Sequence, residues 1–258
     1  MAEILIGTSG YYYDDWKELF YPDDLKKKDY LTYYSLHFNV VELNFTYYRL
    51  PKYRQIKGMV EKAENRLLFV VKAYRGITHE ISDNSIDTVL PQFLDGIVPL
   101  IEDELLGTVL LQFPQGFHYT DQNRVYLKNL LEAVKPFPLC IEFRNKDWLK
   151  DSVYSGLKKL DAGFVCVDEP DLPGLLPPMA LSTSKLGYIR FHGRNKKNWY
   201  GTDSTYRYDY LYSEEELKKW MPRIREISGQ TEKLFIFFNN HAKSQAVTNA
   251  RMLINLLK

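Results

Sequence analysis

The sequence predicts an α/β fold, a single TIM-like (β/α)8 barrel over residues 1–258 with a closed, parallel, eight-stranded sheet. Eight short apolar runs of strand length recur along the chain, and segments with helical spacing of apolar residues separate most of them. The length of 258 residues also matches the roughly 250 that such a barrel needs. An open, doubly wound sheet is the alternative, but GTSG (7–10) lacks the spacing of a nucleotide-binding loop.

The eight predicted strands share one feature: nearly every run ends in a polar or charged residue. The runs are EILIG (3–7), VVELN (40–44), LLFVVKA (67–73), TVLLQF (108–113), LCIEFR (139–144), FVCVDE (164–169), YIRFHG (188–193) and LFIFFNN (234–240). Because the carboxyl ends of the strands meet at one end of a barrel, these polar residues predict a site there.

Helices are predicted between the runs, and the clearest is SEEELKKWMPRIREI (213–227). Ser213 and Glu216 are spaced as a capping box, and Pro222 predicts a kink. The last helix is predicted over roughly residues 243–257. A Pro-rich loop (168–184) replaces a regular sixth helix, and the basic, aromatic loop 193–210 is the candidate lid.

Composition excludes several classes of protein. The chain has 34 basic and 33 acidic residues, which argues against coating nucleic acid or membrane by bulk charge. No run approaches the ~20 apolar residues of a membrane helix, and the N-terminus does not resemble a signal peptide. Cys140 and Cys166 lie inside apolar runs and are expected to be buried free thiols. We therefore expect a cytoplasmic protein; its oligomeric state is not indicated.

Strand parity directs the polar residues into the mouth of the barrel. Side chains two apart on a strand share a face, and a charged pair is not expected to face the helices. The pairs are Glu42 with Asn44, Glu142 with Arg144, and Arg190 with His192. Lys72, Gln112, Asp168 and Asn240 are expected to join them from other strands.

This constellation predicts an enzyme that uses acid/base chemistry on an anionic, phosphate- or carboxylate-bearing ligand. Proton transfer is assigned to Glu42, Glu142 and His192. The anion is assigned to Lys72, Arg144 and Arg190, with Gln112 and Asn240 orienting substrate oxygens. Asp168 and Arg194 are also assigned to substrate binding. We expect Glu142→Gln to abolish turnover and leave the fold stable. The alternative for any single residue is a self-neutralising ion-pair network that fills the top of the barrel.

A divalent metal is left open, although no cofactor is required by the sequence. The ligands, if a metal binds, are expected to be His79, His192, Glu142 and Asp168. No H-E-x-x-H spacing is present, and three cations in the same mouth would repel a metal.

Two further functional alternatives remain open. A nucleic-acid-binding protein, with or without phosphodiester cleavage, would grip a backbone with the loop from Arg194 to Tyr210, whose RNKK run (194–197) precedes Trp199. Binding would then be lost in Lys196→Glu plus Lys197→Glu. A protein that binds a ligand without chemistry is the other alternative. Ser9 is expected to form a turn or to donate hydrogen bonds to an anion, because GTSGY is not a nucleophile elbow.

The same segments resemble the YecE-like family, domain of unknown function 72. The matching blocks are GTSGYYYDDWKELFYP (7–22), VELNFTYYRLP (41–51), VKAYRGITHE (71–80), LLQFPQGF (110–117), CIEFRNKDW (140–148), YIRFHGR (188–194) and FFNNH (237–241). The resemblance implies a TIM barrel with a cleft at the strand carboxyl ends, and it implies no reaction. Two departures, Tyr11 for Trp and Tyr47 for Phe, keep an aromatic ring.

The family blocks add residues to the predicted site. They imply roles in substrate binding for Thr8, Tyr48 and Trp148, and they mark Gly193. They also fall on residues already assigned: Ser9, Glu42, Asn44, Lys72, His79, Gln112, Glu142, Arg144, Arg190, His192 and Asn240.

Overall fold

A computed structural model describes residues 1–200 and 204–258. In this part of the chain, eight parallel strands form one sheet in the order β1-β8-β7-β6-β5-β4-β3-β2. The strands are β1 (Glu3–Thr8), β2 (Val40–Leu43), β3 (Leu68–Lys72), β4 (Leu106–Gln112), β5 (Leu139–Glu142), β6 (Gly163–Asp168), β7 (Leu186–Phe191) and β8 (Lys233–Phe238). The sheet curls into a nearly closed barrel with helices between its strands, so the predicted fold class is confirmed.

Helices and short helical turns connect the strands. The α-helices are α1 (Tyr30–Ser35), α2 (Phe45–Tyr48), α3 (Tyr53–Ala63), α4 (Arg75–Thr78), α5 (Leu90–Glu102), α6 (Asp121–Val134), α7 (Asp151–Lys159), α8 (Ser204–Arg207), α9 (Glu214–Lys218), α10 (Met221–Ser228) and α11 (Gln245–Leu256). The 3-10 turns are Asp14–Trp16, Lys27–Asp29, Lys146–Trp148, Lys196–Asn198 and Ala242–Ser244, and the π-helical turn Ser85–Val89 leads into α5. None of the helices in the described ranges is long and apolar enough to cross a membrane.

The helix predicted over 213–227 is two helices, α9 and α10. The predicted capping box is confirmed, since Ser213 accepts from the Glu216 N–H and Glu216 accepts from the Ser213 N–H. Pro222 lies in the first turn of α10, where its missing N–H costs no intrahelical hydrogen bond. The proline therefore starts a new helix instead of bending a continuous one. The loop that replaces the sixth helix is confirmed: no α-helix lies between β6 and β7 in the described chain.

The seam between β1 and β2 is where the barrel closes. One bridge joins Ser9 to Glu42, whose carbonyl oxygen accepts from Gly10 N–H at 2.8 Å. Below it, the buried hydroxyl of Tyr34 accepts from the Thr8 N–H at 3.0 Å and donates to the Val40 oxygen at 3.1 Å. A side chain from α1 thus replaces a hydrogen bond between the two strands.

Gly7 lies at the same seam, in β1. A Cβ atom there would lie 2.3 Å from the Val40 oxygen, so only glycine permits this approach of the strands. Cys140 and Cys166 are free and buried, as predicted.

Candidate functional site

Strand register decides which polar residues face the barrel interior. In-register residues of neighbouring parallel strands share a face, and Ser9 pairs with Glu42 while Gln112 pairs with Glu142. The inward set, followed around the sheet, is Ser9, Glu42, Lys72, Gln112, Glu142 and Arg190. The predicted mouth is therefore assembled from at least six strands.

Arg190 joins the two buried glutamates in the centre of the mouth. Its Nη2 donates to Glu42 Oε1 at 2.7 Å, and its Nη1 donates to Glu142 Oε2 at 2.5 Å. The other oxygen of Glu42 accepts from the Tyr188 hydroxyl at 2.6 Å. All four side chains are buried, and Nη2 of Arg190 also lies 3.5 Å from the Ser9 hydroxyl. Burial opposes the charge of Arg190, but both carboxylates outweigh it and hold its pKa well above the usual value.

Glu142 is the most heavily bonded carboxylate of this group. Its Oε1 accepts from Arg144 Nε and from His192 Nε2, the latter at 3.1 Å. Burial alone would raise the pKa of Glu142, but Arg144, Arg190 and His192 outweigh burial and hold it well below 4.5. Glu142 is therefore a permanent anion at neutral pH with both oxygens occupied.

His192 is neutral in this surrounding. Nδ1 lies 3.1 Å from the Asn239 amide nitrogen, so it accepts while Nε2 donates to Glu142. Arg144 Nη2 packs against the ring, 3.0 Å from Nε2. Burial, reinforced by the charge of Arg144, lowers the pKa of His192 to about 3. The imidazole thus stays uncharged across the physiological pH range.

Lys72 differs from these residues because no carboxylate neutralises it. Its Nζ lies 4.4 Å from the centre of the Tyr47 ring, and the described residues give it neither an ion pair nor a hydrogen bond. Burial, and next the charge of Arg190, lower the pKa of Lys72 to about 7. An amine that exchanges its proton near neutrality therefore lies at the end of β3.

Lys72, Arg144 and Arg190 lie at the floor of a large cleft at the carboxyl ends of the strands. The cleft has a volume of about 1250 Å³. Its lining in the described chain includes nine Lys or Arg residues and no Asp or Glu: Lys27, Lys28, Arg49, Arg54, Lys62, Lys72, Arg144, Arg190 and Arg207. The carboxylates lie beneath this surface, so the cleft presents positive charge to a ligand.

Buried polar atoms of the cleft residues Arg190 and Asn44 have no hydrogen-bond partner among the described residues. They are the donor Nε of Arg190 and the acceptor Oδ1 of Asn44. Unpaired buried polar groups cost stability, and a bound ligand or water is the usual remedy.

The structure corrects the prediction for Asp168 and Arg194, which lie outside the barrel. Val167 pairs with Arg190 in register, so Asp168 faces the helices. Its carboxylate accepts from Trp220 Nε1 at 2.6 Å, from the Tyr212 hydroxyl at 2.7 Å and from Arg194 Nε at 2.8 Å. Three donors satisfy this charge on the helix side, which is why it need not face the mouth.

Three more predicted ligand-binding residues are buried away from the cleft. The Thr8 hydroxyl donates to the Gly10 oxygen at 2.6 Å, and the Asn240 amide donates to Asn249 Oδ1 at 2.8 Å. Trp148 stacks on Phe143 and donates from Nε1 to the Phe117 oxygen at 2.6 Å. None of these three lines the cleft in the described part of the chain.

Other predicted residues do line the cleft. They are Asn44, Tyr48, Lys72, Gln112, Arg144 and Arg190, together with His79. Trp199, Tyr200 and Tyr208 of the predicted lid also line it, while residues 201–203 of that loop lie outside the described residues.

The four predicted metal ligands do not form a cluster. His192 and Glu142 bond to each other, whereas Asp168 lies outside the barrel and His79 bonds through Nδ1 to Thr78 at 2.8 Å. No group of three or more His, Cys, Asp or Glu side chains is placed to hold a metal in residues 1–200 and 204–258.

Two further polar residues, Glu169 and Asn239, face the barrel interior although the sequence prediction does not include them. Glu169 has the inward parity on β6, and its Oε2 lies 3.5 Å from Arg144 Nη1. Burial raises the pKa of Glu169 to about 7. Asn239 has the inward parity on β8 and contacts His192. The sequence predicts its neighbour Asn240 in this place.

The fold and the cleft define this protein as a TIM-like (β/α)8 barrel with a positively charged cleft at the strand carboxyl ends. Residues 5–258 match the family described as protein of unknown function DUF72, and the chain belongs to that family. The resemblance found in the sequence is confirmed.

Relatives share nearly the full length of the chain. The UPF0759 protein YunF of Bacillus subtilis (strain 168) is 30% identical, covering 98% of this chain and 94% of that protein. A DUF72 family protein of Thermotoga maritima MSB8 is 39% identical with a TM-score of 0.88, covering 99% of both chains. A DUF72 family protein of Enterococcus faecalis V583 is 28% identical with a TM-score of 0.85, covering 98% of this chain and 95% of that one.

Proposed function

We propose that the protein is an enzyme that binds an anionic ligand, bearing phosphate or carboxylate, and performs acid/base chemistry on it at the floor of the cleft. The observation that carries this proposal is the charge of the cleft: nine cationic side chains and no acidic one in its described lining. The unpaired Nε of Arg190 and Oδ1 of Asn44 support it, because a ligand oxyanion and a ligand hydroxyl would satisfy them.

The structure changes which residue is proposed to move protons. Glu42, Glu142 and His192 are buried, and each is held by hydrogen bonds to neighbouring side chains. We assign them to holding Arg144 and Arg190 in position for the anion. Lys72 is the proposed proton carrier, because its pKa of about 7 lets it accept and donate at neutral pH.

Anion binding tests the proposal directly. Titration calorimetry with pyrophosphate at low ionic strength compares wild type with Arg144→Gln and with the control Arg124→Gln, an exposed arginine of α6 that pairs with Asp121. Loss of a charge-assisted hydrogen bond worth about 1.5–3 kcal/mol weakens binding roughly tenfold or more in Arg144→Gln. Equal affinities in the two variants would reject the proposed site.

A second candidate is supported by exposed aromatic rings on the cleft wall. Tyr12, Tyr48 and Tyr200 are 53%, 68% and 59% exposed, and Lys27 and Lys28 line the same cleft. Rings beside a row of cations are the pattern that binds single-stranded nucleic acid. We propose such binding as the alternative function. The nucleic acid would contact Lys27 and Lys28 instead of the RNKK run (194–197).

Matched charge-reversal variants distinguish binding at Lys27 and Lys28 from binding at the RNKK run. Lys196 and Lys197 do not line the cleft, although the sequence analysis assigned binding to them. The double variant Lys27→Glu plus Lys28→Glu is expected to weaken oligonucleotide binding, measured by fluorescence anisotropy at low and high salt, whereas Lys196→Glu plus Lys197→Glu is the control. No binding by wild type at low salt would remove this alternative.

A further inference from the structure

We propose that Lys72 is a nucleophilic amine that forms an imine with an anionic ligand carrying an aldehyde or ketone group. The inference rests on the proposed function, because the cations of the same cleft hold the anionic group. Towards an aldehyde or ketone, the uncharged Lys72 amine acts as a nucleophile instead of as the proton carrier. It narrows the ligand to one chemical class, the carbonyl-bearing phosphates and carboxylates.

The backbone gives Lys72 a fixed place in the site. Lys72 is the last residue of β3, and it pairs in register with Leu110 of β4. Its side chain lines the cleft and contacts the Tyr47 ring. A nucleophile anchored on a strand is positioned more accurately than one on a loop.

The two nearby carboxylates raise the pKa of Lys72, but burial and the charge of Arg190 outweigh them, and the oxygens of both carboxylates bond to other donors. Glu42 accepts from Arg190 and Tyr188, and Glu142 accepts from Arg144, Arg190 and His192. The charge of Arg190 meanwhile repels a proton on Lys72. A lysine that is desolvated beside another cation is the usual form of a reactive amine. With its pKa lowered to about 7, the Lys72 side chain carries a free lone pair at neutral pH far more often than an ordinary lysine does.

The other lysines of the cleft lack this environment. Lys27, Lys28 and Lys62 are exposed to water. Lys27 forms an ion pair with Asp14 at 2.5 Å, and the hydrogen bond raises the pKa of its ammonium group. Selective reaction at Lys72 is therefore expected near pH 7.

The proposed step balances without an oxidant or a reductant. The Nζ lone pair attacks the carbonyl carbon, a C–N bond forms, and the carbonyl oxygen takes a proton to become a hydroxyl. The nitrogen then loses a proton to solvent, the C–O bond breaks, and the hydroxyl leaves with a second proton as water. The nitrogen lone pair forms the C=N bond as water leaves, and the resulting iminium ion loses a second proton to solvent. The product is an imine between Lys72 and the ligand, and its anionic group stays with Arg144 and Arg190.

Reductive trapping tests the inference. The wild-type protein is incubated with pyridoxal 5′-phosphate, an aldehyde that carries a phosphate, then reduced with sodium borohydride and mapped by peptide mass spectrometry. We expect one dominant reduced adduct at Lys72, with a labelling rate that is half-maximal near pH 7. Pyridoxal without the phosphate should label Lys72 at least about tenfold more slowly, the change expected when a charge-assisted contact is lost. Lys72→Met should lose the adduct, and Lys128→Met, at an exposed lysine of α6 outside the cleft, should keep it.

The outcomes separate the inference from the proposed function. Labelling spread over exposed lysines with none on Lys72 overturns the inference, and the wild-type map alone decides this if Lys72→Met does not fold. If pyrophosphate binds and Lys72 is not labelled, the anion site stands and the imine is refuted. If pyridoxal and its phosphate label Lys72 equally, the amine is nucleophilic but the anion site is refuted.

Discussion

Replacing Glu142 with glutamine should destabilise the fold, contrary to what the sequence alone predicts. The carboxylate is fully buried and accepts hydrogen bonds from Arg144, Arg190 and His192. Glutamine removes the charge that both guanidinium groups face, and its amide puts a donor where the carboxylate has an acceptor. Breaking a buried pair by removing one partner costs about 3–5 kcal/mol, because an uncompensated charge remains.

That loss of free energy converts into a large shift of the melting temperature. For a chain of this size each 1 kcal/mol moves Tm by about 2–4 °C, so Glu142→Gln should melt roughly 6–20 °C below wild type. The control is Glu132→Gln in α6, whose exposed carboxylate lies 3.6 Å from Lys135 Nζ. A surface pair of this kind contributes about 0–1 kcal/mol.

Calorimetric melting and urea titration at pH 7 measure both variants. Unfolding at acid pH provides a second test, because the pKa of Glu142 is lower in the folded state than its ordinary 4.5. The stability that Glu142 contributes is present above that value and is lost as the pH falls through the folded pKa. Wild type should therefore lose more stability than Glu142→Gln below pH 4.5. Equal melting of Glu142→Gln and Glu132→Gln at pH 7 would refute the reasoning.

Two further substitutions probe the closing seam. Tyr34→Phe leaves the Thr8 N–H and the Val40 oxygen without the hydroxyl that bonds to both. It should lower the free energy of unfolding in urea by about 2–4 kcal/mol. The control Tyr12→Phe, at an exposed ring, should lower it by under about 0.5 kcal/mol. Gly7→Ala forces the strands apart and should lower the free energy of unfolding by about 1–3 kcal/mol. In the control Gly58→Ala the new methyl group of α3 meets no neighbouring atom, so the variant should be about 0.5–1 kcal/mol more stable than wild type. Equal stabilities within either pair would contradict the account of the seam.

The barrel was predictable because strand signals are local. Each of the eight apolar runs overlaps one observed strand, so order and orientation followed from chain sequence alone. The face that each side chain takes follows from strand alternation. Once Arg190 faces the barrel interior, its register with β6 and β8 places Glu169 and Asn239 inside and Asp168 outside. Asp168 misled the prediction because its donors Trp220 and Tyr212 come from a distant segment.

The basic wall of the cleft could not be predicted in the same way. Lys27 and Lys28 belong to a short turn after β1, Arg54 and Lys62 to α3, and these residues occupy no strand end. All four line the cleft only because the β1–β2 and β2–β3 connections fold over the mouth of the barrel. A net charge of +1 conceals this arrangement, because the acids of the mouth lie beneath the surface that the cations occupy.

The pairing of the buried charges has a consequence for the ligand. Arg144 and Arg190 share the carboxylate of Glu142, so both remain charged and oriented without help from Lys72. An anionic group bound between the two guanidinium groups keeps its charge on their side of the mouth. An anionic group placed against Lys72 would instead raise the pKa of the amine and remove the lone pair that the proposed chemistry needs. The mouth should therefore favour ligands whose anionic group and reactive carbon are separated, with the first at the arginines and the second at Lys72.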